Sequence, residues 1–293
     1  MRKRKQPHLQ SSAKSPKTTG GAGQSPFPDH SRPTHEECIS VRDDLLSLHG
    51  FPQQFVKYRN QRLKPKHQLE KVEPFTDEGE SDERECVLDG LVRTVLSQNT
   101  TELNSERAFA SLRNAFPTWQ HVLEAESKYV EDAIRCGGLA PTKSSCIKNL
   151  LSVLLERKGK LCMEYLRELS IEEVKAELSL FKGIGPKTVS CVLMFNLEHD
   201  DFPVDMHVYQ IAKRMGWVPG VAHVKTTYLH LNQRIPPELK FDLNCLLYTH
   251  GKVCCQCSNR KVGRKNKEAK NGDCPLLAYS KQFEGENEIS NVI

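Results

Sequence analysis

Lys187 and Asp205 stand eighteen positions apart, an amine and a carboxylate from which covalent and electrostatic chemistry could be built. Lys187 opens a helical pattern (Val189, Val192, Leu193) directly behind Gly183-Ile184-Gly185-Pro186. Two glycines one residue apart predict a tight turn in which positive φ or close approach excludes side chains. Pro186 suits the first position of a helix, where its missing N–H costs nothing. Free backbone N–H groups at such a turn form an anion site suited to a phosphate, which singles out Gly183, Ile184, Gly185 and Thr188, with Pro186 shaping the turn but offering no N–H. A cation in the first helical turn opposes the macrodipole, and that field together with partial burial frees an amine's lone pair for attack. Asp205 precedes the next helical pattern (Val208, Ile211, Ala212, Met215) just after Pro203. The pair reads either as two groups facing one cleft or as a solvated lysine and an N-capping aspartate. Residue types alone leave both readings open.

The elements that must position these residues are helical. Aliphatic residues outnumber aromatics, and apolar residues recur at helical spacing through most of the chain. At 293 residues there is enough chain for a substantial core, and the net charge of +5 leans toward polyanionic partners. No apolar run is long enough for a membrane span, and the Arg2-Lys3-Arg4-Lys5 opening lacks the apolar core of a signal peptide. Eleven scattered cysteines without a secretory signal predict reduced thiols.

Residues 1–35, rich in Lys, Ser, Pro and Gly, are expected to be a disordered basic tail whose opening could act in nuclear import. Ile39, Val41, Leu45, Leu46 and Leu48 predict a first helix that ends before Gly50. Residues 70–85 hold eight acidic side chains and read as a mobile acidic linker. A helix stripe follows (Val87, Leu88, Leu91, Val92, Val95, Leu96) and runs into Ser97-Gln98-Asn99-Thr100-Thr101. Amides and hydroxyls at the end of so apolar a helix suit contact with a base or with the gap left by one; otherwise they cap a helix end. Gly137-Gly138-Leu139 stops one helix, and Lys143 precedes a core face at Ile147, Leu150, Leu151 and Leu154.

Gly183-Ile184-Gly185-Pro186-Lys187-Thr188 with Val204-Asp205-Met206-His207 resembles the helix-hairpin-helix and Gly/Pro…Asp signature of the endonuclease III branch of DNA glycosylases. The resemblance extends through Leu96-Ser97-Gln98-Asn99-Thr100-Thr101 and Gly138-Leu139…Lys143 to His250-Gly251-Lys252, so it runs from about Val87 to His250. It implies that Lys187 is a Schiff-base nucleophile and Asp205 the second catalytic group. Asn99 takes the place of a polar residue inserted into the duplex, with Gln98 as rival, and His207 joins the DNA-contacting set. Met206 stands where the family usually has Thr.

The same family usually ligates a [4Fe–4S] cluster through Cys-x6-Cys-x2-Cys-x5-Cys. This chain offers Cys254, Cys255, Cys257 and, beyond an insert bearing Arg260, Lys261, Arg264, Lys265, Lys267 and Lys270, Cys274. Adjacent Cys254 and Cys255 are poorly placed to reach different irons, so no metal cofactor is expected. The alternatives are a cluster, or zinc on Cys254, Cys257 and Cys274 with a fourth ligand from elsewhere.

The resemblance implies an all-α, two-lobed fold of the HhH-GPD glycosylase type over residues 36–285, with 286–293 a tail. A six-helix lobe at about 86–198 would carry the hairpin. The other lobe, 36–85 plus 199–285, would bring Asp205 across to Lys187. The expected activity is base-excision DNA glycosylase with AP lyase, acting in the nucleus as a monomer on duplex DNA with a damaged or mismatched base. A glycosylase without lyase activity and a non-catalytic DNA-binding module are the rivals.

Overall fold

The computed structural model describes residues 25–63, 84–257 and 274–280, and among these every regular element is helical. The N-terminal tail up to residue 24, most of the acidic linker and the basic insert lie outside the described residues. None of the described helices is long and apolar enough to cross a membrane.

The apolar periodicities sort the helices into two cores. The first gathers α3 (Val87–Leu96), α4 (Glu102–Ala115), α5 (Trp119–Glu124), α6 (Ser127–Ile134), α7 (Ala140–Lys158), α8 (Ile171–Leu178) and α9 (Pro186–Cys191). Its centre is α3, where Val87, Leu88, Leu91, Val92, Val95 and Leu96 are all buried. The second gathers α1 (His35–His49), α10 (Met206–Arg214), α11 (Val224–Arg234) and α12 (Pro237–Val253) around Phe202, Trp217 and Leu243. A smaller aromatic cluster joins them. There Phe55 of α2 (Gln53–Leu63) stacks on Phe195 at 5.4 Å between ring centres, and Phe195 meets Phe241 of α12 edge-on at 5.9 Å.

The helix ends follow from local chemistry. Thr34 and Glu37 form a capping box that starts α1, and Ser170 with Glu173 does the same for α8. Thr101 accepts from Asn104 N–H and starts α4, so the hydroxyl cluster after α3 does cap a helix. After α6 the chain tightens into a 3₁₀ turn, Arg135–Gly137, and crosses Gly138 and Leu139 at positive φ. At Gly90 an added Cβ would lie 1.9 Å from Asn196 Nδ2, so α3 packs closely against the π-helical turn Val192–Asn196 that extends α9.

Two sequence boundaries shift. Packing starts by Ser25, earlier than the boundary expected near residue 35: Phe27 rests on the second core, His30 bonds the Gly216 carbonyl, and Arg32 is buried against Glu37. An aromatic and a buried arginine, invisible to composition, tie this basic stretch down. At the other boundary Arg84 and Glu85, assigned to the acidic linker, are held by Glu198 and Arg93.

Lys143 is almost fully buried and donates to two backbone carbonyls, Leu96 at 2.6 Å and Gly137 at 2.9 Å. It thus staples the C-terminal end of α3 to the turn before α7, and burial lowers its pKa. Lys143→Met removes two charge-assisted bonds and leaves two buried carbonyls unpaired, for an expected loss of about 3 kcal/mol in urea unfolding. A change under about 0.5 kcal/mol would show that water replaces the ammonium at no cost.

Candidate active site

The hairpin is built by its anchors. Phe181 and Ile184 are buried in the first core and hold the turn from below, and Ile184 N–H closes it on the Phe181 carbonyl at 3.1 Å. Gly183 takes φ 92°, and a Cβ there would lie 2.7 Å from Cys146 Sγ, so both conformation and space require glycine. Gly185 differs from the expectation of two such glycines: its φ is −91° and an added Cβ would meet nothing within 4 Å. Its outer side is open. Pro186 is the first residue of α9 and Lys187 follows, with an exposed side chain. Partial burial of this amine, expected from the sequence, is not found. Thr188 is buried and its Oγ1 accepts from Gln98 Nε2 at 3.2 Å, which ties the loop after α3 to the hairpin helix. Beside it Asn99 is exposed at φ 52°, a left-handed conformation that asparagine tolerates well. The two amides therefore differ in place: Gln98 is tethered, and Asn99 projects.

Asp205 closes a non-helical strip that the second core grips through polar contacts. Asn232 clamps Phe202 through both its N–H (2.9 Å) and its carbonyl (3.1 Å). Asn244 donates to the Pro203 carbonyl at 2.7 Å, and Lys240 to the Asp200 carbonyl at 2.9 Å. Asp205 is half-buried, and its Oδ1 accepts from Val208 N–H at 2.8 Å as the N-cap of α10. His207 in the first turn of α10 faces the Tyr248 ring and packs so closely on α12 that a Cβ at Gly251 would lie 2.6 Å from its own Cβ.

Asp201 links the two halves. It is 3 % exposed; Oδ1 accepts from Ser190 Oγ of α9 at 2.6 Å and from Phe202 N–H at 2.7 Å, while Oδ2 accepts from Tyr228 OH of α11 at 2.9 Å. The lysine-bearing helix is thereby bonded to the strip that ends in Asp205.

Lys187 and Asp205 line one cleft of about 270 Å³ between the two cores. Phe55, Tyr58, Phe195 and Tyr248 supply aromatic walls, and Arg93, Glu85, Asn196 and Asn244 supply polar ones. Glu85 orders this wall: it pairs with Arg93 at 2.7 Å and accepts from Tyr58 OH at 3.1 Å and Asn196 Nδ2 at 3.2 Å. Burial beside that carboxylate pushes the Tyr58 phenol up, so it stays protonated and donating. Cys191 lies in the same cleft, and burial pushes its thiol up to about 11, which leaves it a weak nucleophile at neutral pH. Sequence reasoning missed α2 and the Glu85 network. The available signal was Phe55 and Tyr58 at helical spacing just before the acidic run.

Residues 92–237 match the model of the HhH-GPD superfamily base excision DNA repair proteins. An Arabidopsis thaliana protein provisionally named a DNA glycosylase is 59 % identical over 265 residues, 88 % of this chain and 89 % of that one. The chain belongs to the HhH-GPD superfamily. It is of the endonuclease III-like kind: endonuclease III of Sulfolobus acidocaldarius is 27 % identical over 57 % of this chain and 73 % of its own. The structure of a non-covalent endonuclease III–DNA complex superposes with a TM-score of 0.58 at 19 % identity, covering 87 % of this chain and 99 % of that one. DNA glycosylase/AP lyase ROS1 of Arabidopsis thaliana is 31 % identical over 182 residues, only 12 % of its length. The all-α HhH-GPD fold expected from the sequence is therefore the fold of this chain.

The C-terminal cysteines do not fit the family's [4Fe–4S] cluster. Four ligand atoms do converge there, but they come from His250, Cys254, Cys257 and Cys274 and lie within 4.8 Å of one another. Cys255 is exposed and outside this group. A cube needs four thiolates, each ending on a different iron and so spread apart. Three sulfurs and an imidazole in so tight a group are one thiolate short and too close. The sequence offered Cys254, Cys257 and Cys274 with a fourth ligand left open, and the fold brings His250 beside them.

Ser190→Ala deletes the buried bond to Asp201 and is expected to cost about 1–3 kcal/mol in denaturant unfolding. In still-folded protein it should also slow base excision, because α9 would then be free to drift from the Asp205 strip. Wild-type stability together with wild-type rate would show that other contacts set the Lys187–Asp205 geometry.

Proposed function

We propose that this chain is a bifunctional DNA glycosylase, excising a damaged or mismatched base from duplex DNA and then cleaving the strand at the abasic sugar. What supports this reading is one observation: an amine and a carboxylate, presented by elements of different cores, line the same cleft. The open Gly185 flank leaves room for the DNA backbone to approach the hairpin at Gly183, Ile184, Gly185, Pro186 and Thr188. The exposed Asn99 would enter the duplex where the nucleotide leaves it, Gln98 would hold that loop on the hairpin, and His207 would meet the backbone beside Asp205.

The chemistry assigns one role to each group. Extrusion of the nucleotide costs a few kcal/mol, least for a damaged or mispaired base. As the N-glycosidic bond lengthens, positive charge grows on the sugar, and the Asp205 carboxylate opposite it lowers that barrier. Lys187 Nζ, desolvated by the bound DNA, attacks C1′, and the base leaves with the bonding electron pair. Ring opening, with one of the amine's protons passing to O4′ and the released base taking a proton from water, gives an imine between Lys187 and C1′. Loss of a C2′ proton then expels the 3′ phosphate, which breaks the strand. The protein acts as a monomer, and its Arg2-Lys3-Arg4-Lys5 opening suits nuclear import.

Borohydride reduces an imine to a stable amine. It is expected to trap the full-length chain on duplexes carrying a lesion or an abasic site, while Lys187→Gln abolishes trapping and keeps DNA binding. Full trapping in Lys187→Gln would move the nucleophile elsewhere, and base release without any trapping in the wild type would favour hydrolysis by water.

Asp205→Asn keeps an oxygen to cap α10 but removes the charge. Its base excision should fall about 10²–10³-fold, the usual cost of losing one preorganised group at a developing charge. Near-normal excision by this variant would leave Asp205 as a helix cap alone.

A further inference from the structure

His250 lies in the last turn of α12, and Cys254, four residues on, is the C-cap of that helix, so both face the same side. Cys257 follows after two residues, and Cys274 is brought back to meet them. Cys257 Sγ stands 3.5 Å from Cys274 Sγ, and Cys274 Sγ stands 3.3 Å from His250 Nε2. A tetrahedral Zn²⁺ with bonds of about 2.3 Å to sulfur and 2.0 Å to nitrogen has ligand atoms about 3.5–3.8 Å apart. These two spacings are close to the edges of such a tetrahedron, and all four donor atoms lie within 4.8 Å of one another, close enough to converge on one ion.

We propose that His250, Cys254, Cys257 and Cys274 hold one zinc ion as a closed structural centre. Three features of the surroundings support it. Three of the four donors are shielded, with His250 1 %, Cys257 3 % and Cys274 6 % exposed and Cys254 half-buried, as suits a structural zinc site. Thiolates with an imidazole form a donor set that suits zinc over magnesium or calcium. The second ring nitrogen of His250, Nδ1, lies 2.9 Å from His49 Nε2 at the end of α1. Such a bond, with Nδ1–H donating to His49, fixes the tautomer that points the Nε2 lone pair at the ion.

The ion would tie residues 274–280 to the end of α12. That segment already reaches α1, through Tyr279 OH donating to Asp44 at 2.7 Å. Zinc would therefore close the long connection between Cys257 and Cys274 and brace the helix whose Gly251 packs on His207. Its role is structural, so the proposal stands or falls independently of whether the cleft cleaves DNA.

The test is elemental analysis of the full-length chain purified with reductant and without added metal. About one zinc per chain is expected, and Co²⁺ in its place should give the intense visible bands of a tetrahedral thiolate site. His49→Ala, which keeps all four donors, should weaken zinc binding about 10–100-fold in competition with a chelator. Chelator should also lower the Tm of the wild type. Substoichiometric zinc, a brown iron-loaded protein, or a Cys257–Cys274 disulfide formed under reductant would each overturn the proposal. Unchanged zinc affinity in His49→Ala would overturn the orienting role of His49. Loss of zinc in Cys274→Ser adds support where that variant folds, and the wild-type stoichiometry decides where it does not.

Discussion

The geometry of the cleft depends on one buried carboxylate. Asp201 takes a hydroxyl from α9, a phenol from α11 and the backbone N–H of the next residue, so a single side chain fixes three segments. An ion so shielded from water is stable only where each oxygen finds donors, and breaking such a set leaves uncompensated charge. That makes the joint unforgiving, which is what a two-sided site needs. Lys187 lies three residues before Ser190 and Asp205 four residues after Asp201. A slip at the joint would be felt on both sides of the cleft.

Around this polar joint the contacts change character. The aromatic cluster of Phe55, Phe195 and Phe241 fills the space between the cores but has little directionality, so it sets distance better than orientation. Orientation comes from Glu85, whose ties to Arg93, Tyr58 and Asn196 lock the side walls. Gly90 then lets α3 approach Asn196 closely enough for that network to close. The cleft is thus framed by charge-assisted bonds and packed by rings.

The sequence was informative where function is encoded in contiguous residues. The hairpin, its proline and the helix starts at Lys187 and Asp205 form short runs with fixed local geometry, so residue types and spacing sufficed to place them in the fold, while the roles of Lys187 and Asp205 were implied by the family resemblance. Helix stripes in α3 and α7 were equally legible because each buries one apolar face. Long-range polar contacts were not. Asp201 and Glu85 read as ordinary charged residues and Lys143 as a motif position without a role, and only the fold shows that each is buried or pinned by partners far along the chain. Gly185 was over-read: the need for glycine at that position does not come from the chain's own conformation.

The two groups proposed to react are not positioned to the same degree. Asp205 is oriented by its bond to Val208 N–H and by a strip gripped at Asp200, Phe202 and Pro203, so the fold already aims its carboxylate. Lys187 is exposed, and a hydrated ammonium has no lone pair to offer. If it is the nucleophile, the water around it must be displaced by the duplex that the hairpin and Asn99 engage. Electrostatic stabilisation would then be built into the fold, and nucleophilicity would be switched on by substrate. A DNA glycosylase that meets vast stretches of undamaged DNA would gain from that division, since the amine would become reactive only where a nucleotide had entered the cleft.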